Sequence, residues 1–161
     1  MSSAKRKNIK IEPFKHKVDM DPKYAEKTWR ILEHTINEIY NHNASGLSFE
    51  ELYRNAYNMV LHKYGEKLYY GLVTAMSVHL KEIAKAVDGA QGSLFLEELN
   101  RKWVDHNKAL QMIRDILMYM DRMYVTNANK TPVYELGLNL WKDYIIHGTK
   151  IKDRLQDALL E

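Results

Sequence analysis

The amino-acid sequence predicts an all-α fold, a helical bundle of about five to six helices with one long central helix. Three observations predict it. Apolar residues recur at alternating spacings of four and three, which places them along one face of a helix. No segment alternates with the period of two that a strand requires. The three prolines, Pro13, Pro22 and Pro132, each fall before or at the start of such a pattern and never inside one, where a missing N–H costs a helix least. A chain of 161 residues has the size of one domain and buries roughly 70% of the surface its unfolded form exposes, enough for a real core.

Residues 1–18 lack helical periodicity and read as a flexible N-terminal arm, with Ile9, Ile11 and Phe14 as its sparse apolar set. The globular part is expected over 19–161. Helix one should start at Asp21-Pro22, with Pro22 in the first helical position, and run on the spine Ala25, Trp29, Leu32, Ile36 and Ile39. Helix two opens with Ser48 and, three residues on, Glu51, a capping box. Leu47 and Leu52 form the hydrophobic staple around it. Gly65 is expected to end this helix after Tyr64 in a left-handed conformation. Helix three, over about 66–87, carries Leu68, Leu72, Met76, Leu80, Ile83 and Val87. The long helix, over about 93–125, carries a seam of Leu99, Trp103, His106, Leu110, Ile113, Leu117, Met120 and Tyr124. After a polar loop, Pro132 opens a fifth helix on Leu136, Leu140 and Tyr144, and a short sixth follows on Ile151, Leu155 and Leu159.

Composition excludes several functions. There is no Cys, hence no disulfide framework, thiol nucleophile or Cys-based zinc site; a reducing location, cytoplasmic and/or nuclear, is expected. Neither a secretion signal nor a run of about 18 apolar residues occurs, so no membrane partner is expected. The formal charge of +3 is spread among both signs except at Lys5-Arg6-Lys7, which reads as a solvated tail and not a nucleic-acid contact. The seven histidines include no i, i+4 pair for a metal, and no phosphate-binding glycine loop or nucleophile elbow is present. No catalysis and no cofactor are expected. His106, on the core seam, should be a hydrogen-bonded structural histidine.

What remains is surface. On helix two, Phe49, Leu52, Tyr53, Ala56, Tyr57, Met59, Val60 and Leu61 cover an arc of roughly 200°, about twice what a one-sided helix needs. Its Phe49-Tyr53-Tyr57 edge, rimmed by Glu50 and Arg54, has the composition of a protein interface. The alternative is that the helix is wedged between two layers of its own bundle. Tyr119, roughly opposite the seam of the long helix with Arg122 nearby, is a second candidate contact, or else is covered from both sides.

The run Ser45 to Tyr57 (SGLSFEELYRNAY), continuing through MVLHK at 59–63 and GEKLY at 65–69, resembles the N-terminal region of the cullin-3 family, as does IRDILMYMDR at 113–122. The resemblance extends over nearly the whole chain from about Ile9. It implies a cullin-repeat bundle that acts as a scaffold module of a cullin-RING ubiquitin ligase and captures BTB-domain substrate adaptors, in a two-to-two complex through adaptor dimerisation. It implies partner-binding roles for Leu47, Ser48, Phe49, Glu50, Tyr53 and Tyr57, for Tyr119 and Arg122, and for Ile9, Ile11 and Phe14 of the arm. The arm only approximates the family's extension, and Tyr64 stands where many animal members carry His, which bears on partner preference. The regions that in the family bind the RING subunit and accept the ubiquitin-like modifier do not fit in 161 residues, so a fragment is expected. The rival reading is a self-associating helical interaction domain unrelated to ubiquitin transfer.

Overall fold

The computed structural model describes residues 20–160, all of whose regular structure is helical. Expectations for the arm over 1–18, Ile9, Ile11 and Phe14 among them, lie outside the described residues. Helix α1 (Pro22–Tyr40) begins as expected: Pro22 occupies its first turn and the Asp21 carboxylate accepts the Tyr24 N–H at 2.9 Å. A 3-10 turn (Ala44–Gly46) leads to α2 (Phe49–Leu61), and α3 (Gly65–Gly89) follows after three residues. Next comes α4 (Leu94–Ile116). Past a break at Leu117, whose φ of −99° and ψ of 19° leave the helical range, it continues as a helical turn (Met118–Met120), a π-helical segment (Asp121–Val125) and a last turn (Thr126–Ala128). Helix α5 (Val133–Trp141) runs on into a second π-helical segment (Lys142–Ile146), and α6 (Thr149–Leu160) closes the described chain.

The predicted spines are the buried ones for α1 and, except for half-buried Ile83, for α3. Helix α3 is the member that touches all the others, so centrality belongs to it as much as to the long α4. The core divides in two. One cluster joins α1, α2, α3, the second half of α4 and Val133; the other joins the end of α3, Phe95, Trp141, Ile145 and Ile151.

Four expectations need correction. Gly65 does not terminate α2. The left-handed residue is Lys63, at φ 74°, and the Lys63 and Tyr64 N–H groups close the helix end on the Val60 and Met59 carbonyls at 3.1 and 2.7 Å. Gly65 instead opens α3, where a Cβ would stand 2.7 Å from Cδ1 of Tyr124; its use is the absence of a side chain. On α5 the buried stripe is Val133, Gly137, Trp141 and Ile145, with Leu136, Leu140 and Tyr144 only half-buried beside it. Gly137 carries no hydropathy signal, yet a Cβ there would lie 2.1 Å from Leu110 Cδ2. Finally, the long helix is not uninterrupted, and Leu159 of α6 is exposed.

His106 is completely buried, as its place on the seam predicted. Its Nε2 lies 3.1 Å from the Gly137 carbonyl oxygen, which can only accept, so Nε2 donates; Nδ1 then accepts from the Tyr40 hydroxyl at 3.1 Å. Burial holds the imidazole below the usual histidine range, which favours this neutral form. Its ring also stacks on Trp141 at 5.3 Å, so the histidine ties α1, α4 and α5 together. Tyr40 in turn stacks on His79 at 4.5 Å, and burial lowers His79 as well.

Candidate partner-binding site

Helix α2 starts where its sequence says. Ser48 Oγ accepts the Glu51 N–H at 3.4 Å, the serine half of the expected box, and Glu50 and Glu51 in the first turn suit the positive end of the helix. Leu47 is half-buried against the core, which fixes the angle at which the chain enters. Leu52, Ala56 and Met59 then turn into the bundle and are buried. Among the described residues, this is the face that is fully covered. Phe49 is 53% exposed and Leu61 50%, while Tyr53, Tyr57 and Val60 are half-buried along the edge. The helix is therefore not wedged between two layers of the bundle.

The uncovered edge is continuous. Phe49 and Tyr53, one turn apart, have ring centroids 6.1 Å apart, and Tyr57 packs its ring on Tyr119 at 4.4 Å. The continuation of α4 thus lies beside the C-terminal half of α2, and Tyr119 is half-buried between the two. Charged groups flank the aromatics: Arg54 reaches Glu50 at 3.6 Å, both strongly exposed, and exposed Arg122 follows Tyr119 by three residues. Exposed ion pairs of this kind contribute little to stability. Their guanidinium and carboxylate groups stay available to another molecule. Ser48 is exposed beside Phe49. The structure hence gathers Leu47, Ser48, Phe49, Glu50, Tyr53, Arg54, Tyr57, Tyr119 and Arg122 on α2 and the adjoining part of α4.

Tyr64 sits at the corner between α2 and α3, half-buried, with its hydroxyl donating to the Met20 carbonyl at 3.0 Å. It pins the segment that enters α1. Next to this corner is a groove of about 500 Å³ whose lining includes Leu61, Met123, Tyr124 and Tyr119. Sequence reasoning places Leu61 on the surplus arc of helix two but gives no role to Met123. The π-helical segment at Asp121–Val125 changes the phase of that helix, and no local pattern announces it.

Among the described residues, no three His, Cys, Asp or Glu side chains are grouped to hold a metal ion, and no helix is long and apolar enough to cross a membrane. An arrangement of tilted aromatic pairs with charged rims can offer apolar area and orienting hydrogen bonds.

Comparison with known proteins bears on this geometry. Residues 29–161 match the family model described as "Cullin alpha solenoid domain". Over 161 residues, all of this chain, the sequence is 69% identical to "Cullin-3B" of Arabidopsis thaliana, and it covers 22% of that protein's length. It is 49% identical to "Cullin-3" of Dictyostelium discoideum over 145 residues, 90% of this chain and 19% of the relative. With "Cullin-3" of Caenorhabditis elegans it shares 46% identity over 158 residues, 97% of this chain and 20% of the relative.

Proposed function

Since the chain belongs to the cullin family, we propose that it is the adaptor-capturing module of a ubiquitin-ligase scaffold, binding BTB-domain substrate adaptors through α2 and the adjoining part of α4. The observation that carries the proposal is the uncovered aromatic edge. A bundle that buries Leu52, Ala56 and Met59 leaves Phe49, Tyr53 and Tyr57 of the same helix at the surface and extends them with Tyr119.

Phe49 and Tyr53 supply the central apolar area, the Tyr57–Tyr119 pair a rigid neighbouring platform, and Leu47 and Ser48 the start of the surface. Glu50, Arg54 and Arg122 set orientation at the rim, where charges act more on encounter rate and register than on affinity. The module acts as a non-catalytic scaffold part, monomeric by itself and drawn into a two-to-two complex by a dimeric adaptor. RING-subunit binding belongs to the longer relatives, of which the chain spans about a fifth. We place it in the cytoplasm and/or nucleus.

Calorimetric titration of the chain with a BTB-domain adaptor tests the proposal, alongside a Phe49→Ala, Tyr53→Ala double variant checked by circular dichroism. Truncating a central aromatic typically costs about 2 kcal/mol or more, so the double variant should lose at least about thirtyfold in affinity while staying helical. A wild-type chain that ignores several such adaptors refutes the reading. The same uncovered edge would also serve a self-associating domain, and concentration-dependent light scattering of the chain alone separates the two.

A further inference from the structure

We propose that the groove at the corner of α2 and α3 is a second contact pocket of the adaptor site, and that it receives an apolar side chain of the adaptor. The inference rests on the reading of the aromatic edge given above.

The groove, about 500 Å³, is bounded by the end of α2, the first turn of α3 and the π-helical segment that follows α4. Leu61 and Met123, 50% and 42% exposed, present apolar surface to it. Tyr124 lies against Gly65, and this is possible because Gly65 has no Cβ to occupy the space 2.7 Å from Tyr124 Cδ1. Lys63 and Glu66 add charge at the margin.

Continuity and area name the occupant. Tyr119 lines the groove and also packs on Tyr57 at 4.4 Å, so the groove opens directly onto the aromatic edge. Leu61 extends the four-residue spacing Phe49, Tyr53, Tyr57 by one more turn, which makes the strip about 18 Å long. A large aromatic offers roughly 150–250 Å² in full, so Phe49, about half exposed, and the three half-buried tyrosines together offer no more than roughly 300 Å². A stable partner covers about 800 Å² on each side. The strip must therefore be extended, and among the described residues the larger apolar area lies in one direction. Before Phe49 the surface is half-buried Leu47 among exposed Ser45, Gly46 and Ser48; beyond Tyr57 it is half-buried Val60 with exposed Leu61 and Met123. A molecule seated on the aromatics reaches the groove within one turn of helix.

The test is calorimetric titration of a BTB-domain adaptor with wild type, Leu61→Ala, Met123→Ala and Met123→Glu, with Phe49→Ala as reference. All replaced side chains are at least two-fifths exposed, and thermal melts confirm an intact fold. Each alanine should weaken binding by about tenfold, and Met123→Glu by more. If Phe49→Ala loses affinity while the Leu61 and Met123 variants stay within about twofold of wild type, the groove is outside the interface and the adaptor reading stands. If wild type binds no adaptor, both fall. Removal of residues 1–19 that raises adaptor affinity would give the groove to the chain's own N-terminal segment, and a dimer of the free chain abolished by Met123→Glu would give it to a second copy; either overturns the inference.

Discussion

Gly137→Ala should destabilise the bundle although it replaces a helical glycine. In an open helix this change gains about 1 kcal/mol of intrinsic propensity. At Gly137 the new Cβ would sit 2.1 Å from Leu110 Cδ2 and 2.6 Å from Cδ1, far inside contact distance. Leu110 is completely buried, so its methyls have no solvent to swing into. Overpacking of a dense core costs about 1–3 kcal/mol, and an overlap this deep belongs at the upper end. The net expectation is about 2 kcal/mol of lost stability, read as a lower urea midpoint by far-UV circular dichroism. The decisive arm is the same substitution in a Leu110→Ala background. That truncation alone costs about 2–5 kcal/mol, but it clears the space the added methyl needs, so Gly137→Ala should then be stabilising by about 1 kcal/mol. The two changes couple by about 3 kcal/mol. A Gly137→Ala variant more stable than wild type, or one with the same effect in both backgrounds, would refute the account of how α5 meets α4.

Acidification should weaken the fold through His79 and His106. Burial holds both imidazoles below the usual histidine value, so the unfolded chain binds their protons more readily. Stability is therefore full above pH about 6.5 and falls as pH drops through the window below it, by up to about 1.4 kcal/mol per pH unit for each group. Asp121, raised by burial, acts with the opposite sign nearer the carboxylate range, so urea titrations between pH about 7 and 5 isolate the histidines. His106→Gln should flatten part of that slope, and a wild-type stability constant across the window contradicts the burial argument. At the surface, a Tyr57→Ala, Tyr119→Ala double-mutant cycle on unfolding free energy should return about 0.5–1.5 kcal/mol of coupling for rings 4.4 Å apart, and zero coupling would mean the two rings do not meet in the free chain.

Much of the bundle is legible in the sequence because its signals are local. Asp21-Pro22 and Ser48 cap helices within three residues of themselves, and the spines of α1 and α3 follow the helical period that burial selects. Glycine is where local reading fails. It has two separate uses, a left-handed backbone or a missing side chain, and the letter does not say which. Gly65 and Gly137 both serve the second use, against Tyr124 and Leu110. The left-handed turn after α2 falls instead on Lys63, where the strain of about 1–2 kcal/mol is offset by the two backbone bonds that close the helix end. No pattern in the sequence records why Gly65 is kept for its missing side chain, because Tyr124, the group that requires it, lies on another segment.

The candidate site shows the same limit from the other side. Periodicity measures how much apolar surface α2 carries, and an arc near 200° is too wide for one core face. It cannot tell which edge will be left over, since that depends on how many layers enclose the helix. The answer lies in the partners: α2 packs on α1, α3 and α4, which leaves Leu52, Ala56 and Met59 buried and Phe49 53% exposed. Tyr119 is expected to point away from the seam, and it does leave the core, but only to meet Tyr57 across the interhelical gap. Met123 gives no such warning. Its exposure depends on the π-helical segment at Asp121–Val125, where the Asp121 carboxylate accepts the Val133 N–H at 3.0 Å and ties that turn to the start of α5. The part of the proposed interface that sequence can reveal, Phe49, Tyr53 and Tyr57 on α2 and Tyr119 beyond α4, is thus the part set by the period of each single helix, and the part that it cannot is the groove built where three segments meet.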